Sequence, residues 1–180
     1  DLIYLTVGAA AALTITLSAL LPDTGEGEVL LLAPFFPEYR VFVEQAGGRV
    51  RVLPLQEPNF AIDPAALRAS ICERTVAVIV NSPNNPSGTV YTRQTLTELA
   101  ALLTRKSEEF GHPVYIVSDE PYRELVYGGA IVNLSVTEEG KTYLKEGWFE
   151  ALESDSKKQK IELDELYIPN MEQTTFMESA

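Results

Sequence analysis

The sequence is short of nucleophilic and metal-binding side chains: its 180 residues hold one cysteine, Cys72, and one histidine, His112. One thiol excludes an internal disulfide, and a single Cys with a single His cannot furnish the Cys/His ligand set of a zinc site. Positive charge is also scarce, with 14 Lys and Arg against 26 Asp and Glu and a formal charge of −12. A sequence-independent grip on nucleic acid or on an anionic membrane rests on clustered Lys and Arg, so neither partner is expected. Long apolar runs are missing too. Residues 2–21 come nearest, but Thr6, Thr14, Thr16 and Ser18 interrupt them and Gly8 divides them. No basic residue precedes the run, so it reads neither as a membrane span nor as a signal peptide. Because Asp1 is not an initiator Met, the chain is expected to begin inside a domain, and the cytoplasm is the expected compartment.

What is present is ordinary globular material, 46% apolar and 22% charged, in a length that can bury one sizeable core. From residue 1 to 129, short aliphatic runs alternate with segments of helical period. That is the grammar of an α/β fold, a three-layer α/β/α sandwich around a mostly parallel sheet. Strands are expected at 28–33, 49–55, 76–81 and 114–118, each rich in Val, Ile or Leu and ending near Pro, Asn, Ser or Asp. Helices are expected between them: 38–46, stopped by Gly47-Gly48; one capped by Asp63-Pro64; and one capped by Thr92. In that last helix Leu96, Leu99, Ala100 and Leu103 fall on one stripe.

Beyond Gly129 the composition changes. Residues 1–129 carry eight Arg and one Lys, whereas 130–180 carry five Lys, no Arg and eleven acidic residues. No run there looks like a buried strand. Residues 130–180 are therefore expected to form a separate, weakly folded or partner-dependent segment after a first unit at 1–129.

Ligands of a parallel sheet gather beyond the carboxyl ends of its strands. Four such places carry unusual chemistry. Gly8-Ala9-Ala10 opens a helix with small residues that leave its first N–H groups accessible to a phosphate, although tight helix packing selects the same residues. Pro34-Phe35-Phe36-Pro37-Glu38-Tyr39 brings aromatic rings, which equally serve core packing. Asn81-Ser82-Pro83-Asn84-Asn85-Pro86-Ser87-Gly88 is a stiff loop rich in amide donors, or simply a series of turns. Ser118-Asp119-Glu120-Pro121-Tyr122 offers a carboxylate that can hold a proton on a ring nitrogen, and a phenol three residues on; Asp119 alone could equally cap a helix.

In this order and at these distances the four segments resemble the class I/II aminotransferases of fold type I, pyridoxal-phosphate enzymes, over essentially all of 1–129. The resemblance implies part of that family's large domain, pyridoxal 5′-phosphate as cofactor, amino acids and 2-oxo acids as substrates, and a homodimer. It also implies roles. Phe36 corresponds to the ring that stacks on the cofactor pyridine, Asn85 and Tyr122 to the groups on its phenolic oxygen, and Asp119 to the carboxylate that keeps its ring nitrogen protonated. Gly8, Ala9 and Ala10 correspond to the phosphate-binding helix start.

The family also places a lysine after Ser-x-Ser, where the cofactor is covalently attached. Ser154-Asp155-Ser156-Lys157 matches that frame, but Glu150, Glu153, Asp155, Lys158 and Lys160 crowd it and no arginine follows Arg123. Activated lysines sit in apolar or desolvated surroundings, so no catalytic residue is assigned and activity of this chain alone is doubtful. A pyridoxal-phosphate lyase of the same fold, and a non-catalytic product retaining part of the fold, remain the alternatives.

Overall fold

A computed structural model describes residues 4–122 and 125–126, together with the backbone of 132–136, 142–146 and 175–176. Among the described residues, four helices and seven strands follow one another as α1 (Ala9–Leu20), β1 (Glu28–Ala33), α2 (Glu38–Gln45), β2 (Arg49–Pro54), α3 (Pro64–Ser70), β3 (Thr75–Asn81), α4 (Arg93–Phe110), β4 (Tyr115–Asp119), β5 (Val132–Val136), β6 (Thr142–Glu146) and β7 (Thr175–Phe176).

The sheet has the order β2-β1-β3-β4-β7, and all its pairs are parallel. Its strands form where the sequence offers uninterrupted aliphatics: Val29-Leu30-Leu31-Leu32 in β1 are all buried, as are Ala77-Val78-Ile79-Val80 in β3. Successive side chains of a strand point to opposite faces, which here sorts the core into two clusters. On one face Val29, Leu31, Ala77, Ile79 and Val117 pack against Leu13 and Leu17 of α1 and Tyr39 and Val43 of α2. On the other, Leu30, Leu32, Val78, Val80 and Ile116 pack against Leu67 of α3 and Leu96, Leu99 and Leu103 of α4. The expected α/β/α layering is therefore present.

Local chemistry sets the helix ends. The Asp63 carboxylate accepts from the Ala65 N–H at 3.0 Å, with Pro64 opening α3, and the Thr92 hydroxyl accepts from the Thr95 N–H at 3.1 Å to start α4. Gly111, in the left-handed region at φ 74°, closes α4 by donating to the Ser107 carbonyl. After α2, Gly47 at φ 81° turns the chain into β2.

One expectation at the site needs revision. The carboxyl-terminal strand of the first unit runs 115–119 rather than 114–118, so Asp119 is the last residue of β4, in register with Asn81, and not a residue after it. In the tail, β5 and β6 form an antiparallel two-stranded sheet, and β7 adds to the edge of β4. The alternation Val132, Leu134, Val136 in β5 has strand period.

Candidate active site

The connections β1–α2–β2 and β3–α4–β4 leave in opposite directions from the middle of the sheet, so the carboxyl ends of β1 and β3 flank a crevice. A cleft of about 270 Å³ opens there, slightly below the ~300 Å³ lower end typical of small-molecule sites. Its walls come from far apart in the chain. Ala9 and Ala10 are the first turn of α1, Phe36 lies in the β1–α2 turn, Asn85 in the loop after β3, Asp119 at the end of β4 and Tyr122 just beyond.

Six of the seven site residues expected from the sequence thus line one cleft. The seventh, Gly8, caps α1 from outside it; its φ of 91° sets the approach of the chain to the helix, and no side chain caps that end. The first N–H groups of α1 have no carbonyl one turn earlier to meet, and the first-turn side chains there are alanines.

The loop after β3 is held by its own amides. Asn84 is buried; its backbone N–H donates to the Thr89 carbonyl at 2.9 Å, and its Oδ1 accepts from the Ser87 N–H and hydroxyl at 3.2 and 2.8 Å. Asn81 does the longer-range work. Its Nδ2 donates to the Asp119 carbonyl at 2.8 Å, while its Oδ1 accepts from the Asn85 N–H at 2.7 Å, so one side chain ties the end of β4 to the loop that carries Asn85. Across the cleft mouth the Asn85 Nδ2 donates to the Tyr122 hydroxyl at 3.3 Å. The two groups matched to one phenolic oxygen do converge.

Asp119 is buried at the floor of the cleft, 6% exposed. The Tyr39 hydroxyl, from the first turn of α2, donates to its Oδ2 in a short hydrogen bond. Burial, and then the negative charge of Asp119, push the Tyr39 phenol far above its ordinary range, so it remains a donor at all working pH. The same ring meets Phe36 edge-on, with centroids 5.6 Å apart and planes at 79°. The sequence placed Tyr39 in the aromatic segment after β1 but gave it no role in the site. Its signal was its position three residues after Phe36, in the first turn of α2 just beyond the aromatic turn.

A larger cleft of about 390 Å³, among Leu20, Gly27, Val76, His112 and Tyr115, lies at the amino ends of β3 and β4. Its polar lining includes Arg74, which is paired with Glu28, and His112, which meets the Glu73 carbonyl at 2.7 Å, and the amino ends of parallel strands are not where such sheets gather ligands.

The sequence of residues 2–145 matches the family model described as aminotransferase class I and II. The chain belongs to that family. The aspartate aminotransferase of Geobacillus stearothermophilus is 43% identical over 125 residues, covering 69% of this chain and 30% of that protein. The aspartate/prephenate aminotransferase of Thermus thermophilus is 39% identical over 153 residues, 79% of this chain and 38% of that one. Among solved structures, an amino transferase from Eubacterium rectale superposes with a TM-score of 0.68 at 51% identity, over 70% of this chain and 31% of its own. The chain spans about a third of the length of the curated relatives it matches. Ser154-Asp155-Ser156-Lys157, where the family's lysine was sought, lies outside the described residues, as does Arg123. Among the described residues no helix is long and apolar enough to cross a membrane.

Proposed function

We propose that this chain carries the cofactor-binding part of a pyridoxal-phosphate-dependent transaminase, which moves an amino group between an amino acid and a 2-oxo acid. The observation that carries the reading is the convergence of a buried carboxylate, an aromatic face, an amide–phenol pair and a helix start on one cleft at the sheet's crevice. The donor set fits the cofactor. Asp119 would meet the ring nitrogen, where a negative charge on the cleft floor favours the protonated form. Phe36 would cover one face of the ring, Asn85 and Tyr122 would meet its phenolic oxygen, and the N–H groups of Ala9 and Ala10 would meet its phosphate.

When bound, pyridoxal phosphate supplies an electron sink for the charge left at an amino acid's α-carbon. The protein's share is to orient and to hold protons. Asp119 would hold a proton on the ring nitrogen from beneath the site, Tyr122 and Asn85 would fix the in-plane rotation of whatever lies between them, and the apolar side chains of Leu13 and Phe42 line the inner wall. Relatives bear names as different as aspartate and kynurenine aminotransferases, so the reading stops at the class of amino acid and 2-oxo acid. The family's habits further suggest a homodimer working in the cytoplasm.

Adding pyridoxal phosphate to the full chain, reducing with borohydride and mapping modified lysines tests the reading. A single stoichiometric adduct, weakened by Asp119→Asn, supports it and identifies the lysine, with Lys157 the residue to inspect. Absence of any saturable binding would reject it. Release of ammonia from an amino acid without a 2-oxo acid acceptor would instead assign the fold to lyase chemistry.

A further inference from the structure

Tyr39 belongs to the site, although it is buried beneath it. The geometry points to Tyr39 as the positioning residue of the cleft, holding the Asp119 carboxylate ionised and oriented toward a cationic ring N–H while its own ring edge sets the tilt of Phe36. This inference rests on the pyridoxal-phosphate reading and specifies how that site is built.

Three observations carry it. Tyr39 is 1% exposed, so its ring has no freedom to leave. Its hydroxyl reaches 80 residues along the chain to Asp119, the one carboxylate among the described residues lining the cleft. Its ring meets Phe36 edge to face at 5.6 Å, so floor and wall are fixed by one side chain on α2. A hydrogen bond given to a charged carboxylate favours the charged form, whereas burial disfavours it. A phenol held un-ionised and donating to Oδ2 therefore supports the charged form of a carboxylate with 6% exposure.

The titratable groups facing Asp119 among the described residues are few. Tyr39 comes from α2, Tyr122 from beyond β4, and Glu120 is the next residue in the chain, where its Oε1 accepts from the Ser118 hydroxyl at 2.6 Å. From α1 and β3 come Ala9, Ala10, Leu13 and Asn81, none of which titrates. Changing Tyr39 to Phe removes the hydroxyl and keeps the ring edge. The pKa of Asp119 then rises by about one unit, the usual size for losing one hydrogen bond to a charged group.

The full chain, wild type and Tyr39→Phe, is titrated with pyridoxamine 5′-phosphate, which needs no lysine, between pH 4 and 8, with Asp119→Asn as reference. In parallel, the Asp119 carboxyl is followed by carbon-13 NMR without ligand, its signal assigned by its loss in Asp119→Asn. The expected result is an acid limb of binding displaced upward by about one pH unit in Tyr39→Phe, roughly tenfold weaker binding on that limb, and the same displacement of the carboxyl titration. A hydroxyl that only supported the fold would weaken binding equally at every pH, and that result overturns the inference. Equal limbs and equal carboxyl titrations in the two proteins overturn it while leaving the cofactor reading intact. If the wild type shows no saturable binding, and Asp119→Asn changes nothing, the cofactor reading fails and this inference with it. Should Tyr39→Phe fold poorly, Phe36→Leu gives a second arm: it leaves the carboxyl titration in place but weakens binding at all pH, and a displaced titration in that variant counts against the division of roles.

Discussion

Asn81 is the residue whose loss should be felt most widely for the fewest atoms removed. It is 4% exposed, and its amide bridges the Asp119 carbonyl at 2.8 Å and the Asn85 N–H at 2.7 Å. Asn81→Ala removes both partners without removing the groups they served. Leaving a buried polar group without its hydrogen bond costs about 1–3 kcal/mol. Asn85 is half-buried at the cleft mouth and water can reach its N–H, which puts the sum at the low end, about 2–3 kcal/mol. With a urea dependence of ~1–3 kcal/mol per M for a small domain, the unfolding midpoint should fall by about 0.7–3 M. Urea unfolding followed by circular dichroism measures this. A second variant sharpens it, because Asn81→Asp retains the acceptor for Asn85 but turns a carboxylate oxygen toward the Asp119 carbonyl. It should be less stable than Asn81→Ala at pH 7 and recover as the new carboxyl protonates in acid. A change below about 0.5 kcal/mol in Asn81→Ala, the scatter of ordinary surface substitutions, would refute the bridge as a stabilising element.

Other consequences can be measured independently. Glu28 is buried; burial raises its pKa, but hydrogen bonds from Arg51 and Arg74 at 2.6 and 2.7 Å, and their charges, outweigh it and leave the carboxyl below its ordinary value. A group depressed in the folded state stabilises above its unfolded pKa, near 4.5, and loses that contribution as pH falls through the folded value. The stability gap between wild type and Glu28→Gln should thus be open at pH 7 and close only as pH falls below 4.5 through the depressed folded value, and a constant gap would argue against the pairing. Tyr91 is pushed up to about 12 by burial. Its contribution should be complete below pH 10 and vanish as pH rises toward 12, a loss that Tyr91→Phe abolishes in alkaline melting curves. Leu17, fully buried where α1 meets the sheet, should cost about 2–5 kcal/mol as Leu17→Ala. Because α1 supplies the Ala9 and Ala10 wall, the same change should weaken phosphate-ester binding at urea-free equilibrium; undiminished affinity would show that the helix start holds its place without Leu17.

Element identity was legible where one physical signal dominated. Residues 28–33 were read to the residue because four aliphatics stand between Gly27 and Pro34, and α3 and α4 because Asp63-Pro64 and Thr92 are caps that act locally. The site was legible to the extent that strand ends are its natural place, which brought Phe36, Asn85 and Asp119 forward before their meeting was known. Tyr39 and Asn81 show the limit. A Tyr in the first turn of an amphipathic helix has the pattern of core packing, and an Asn at a strand end has the pattern of a turn. Only partners 80 and 38 residues away distinguish them, and no local window contains both members of either pair. The strand order β2-β1-β3-β4 was illegible for the same reason, since it depends on which crossover passes over which neighbour.

Each wall of the cleft arrives on a different element, between Ala9 at one extreme and Tyr122 at the other. No contiguous fragment of the chain owns the cleft, so occupancy is a property of the native topology and is absent from every unfolded or half-docked form. A compound held there must therefore act as a folding reagent as well as a ligand. At a hundredfold excess over its dissociation constant it would add ~2.7 kcal/mol to the whole unit, enough for a melting shift to report assembly of the sheet even when no substrate turns over.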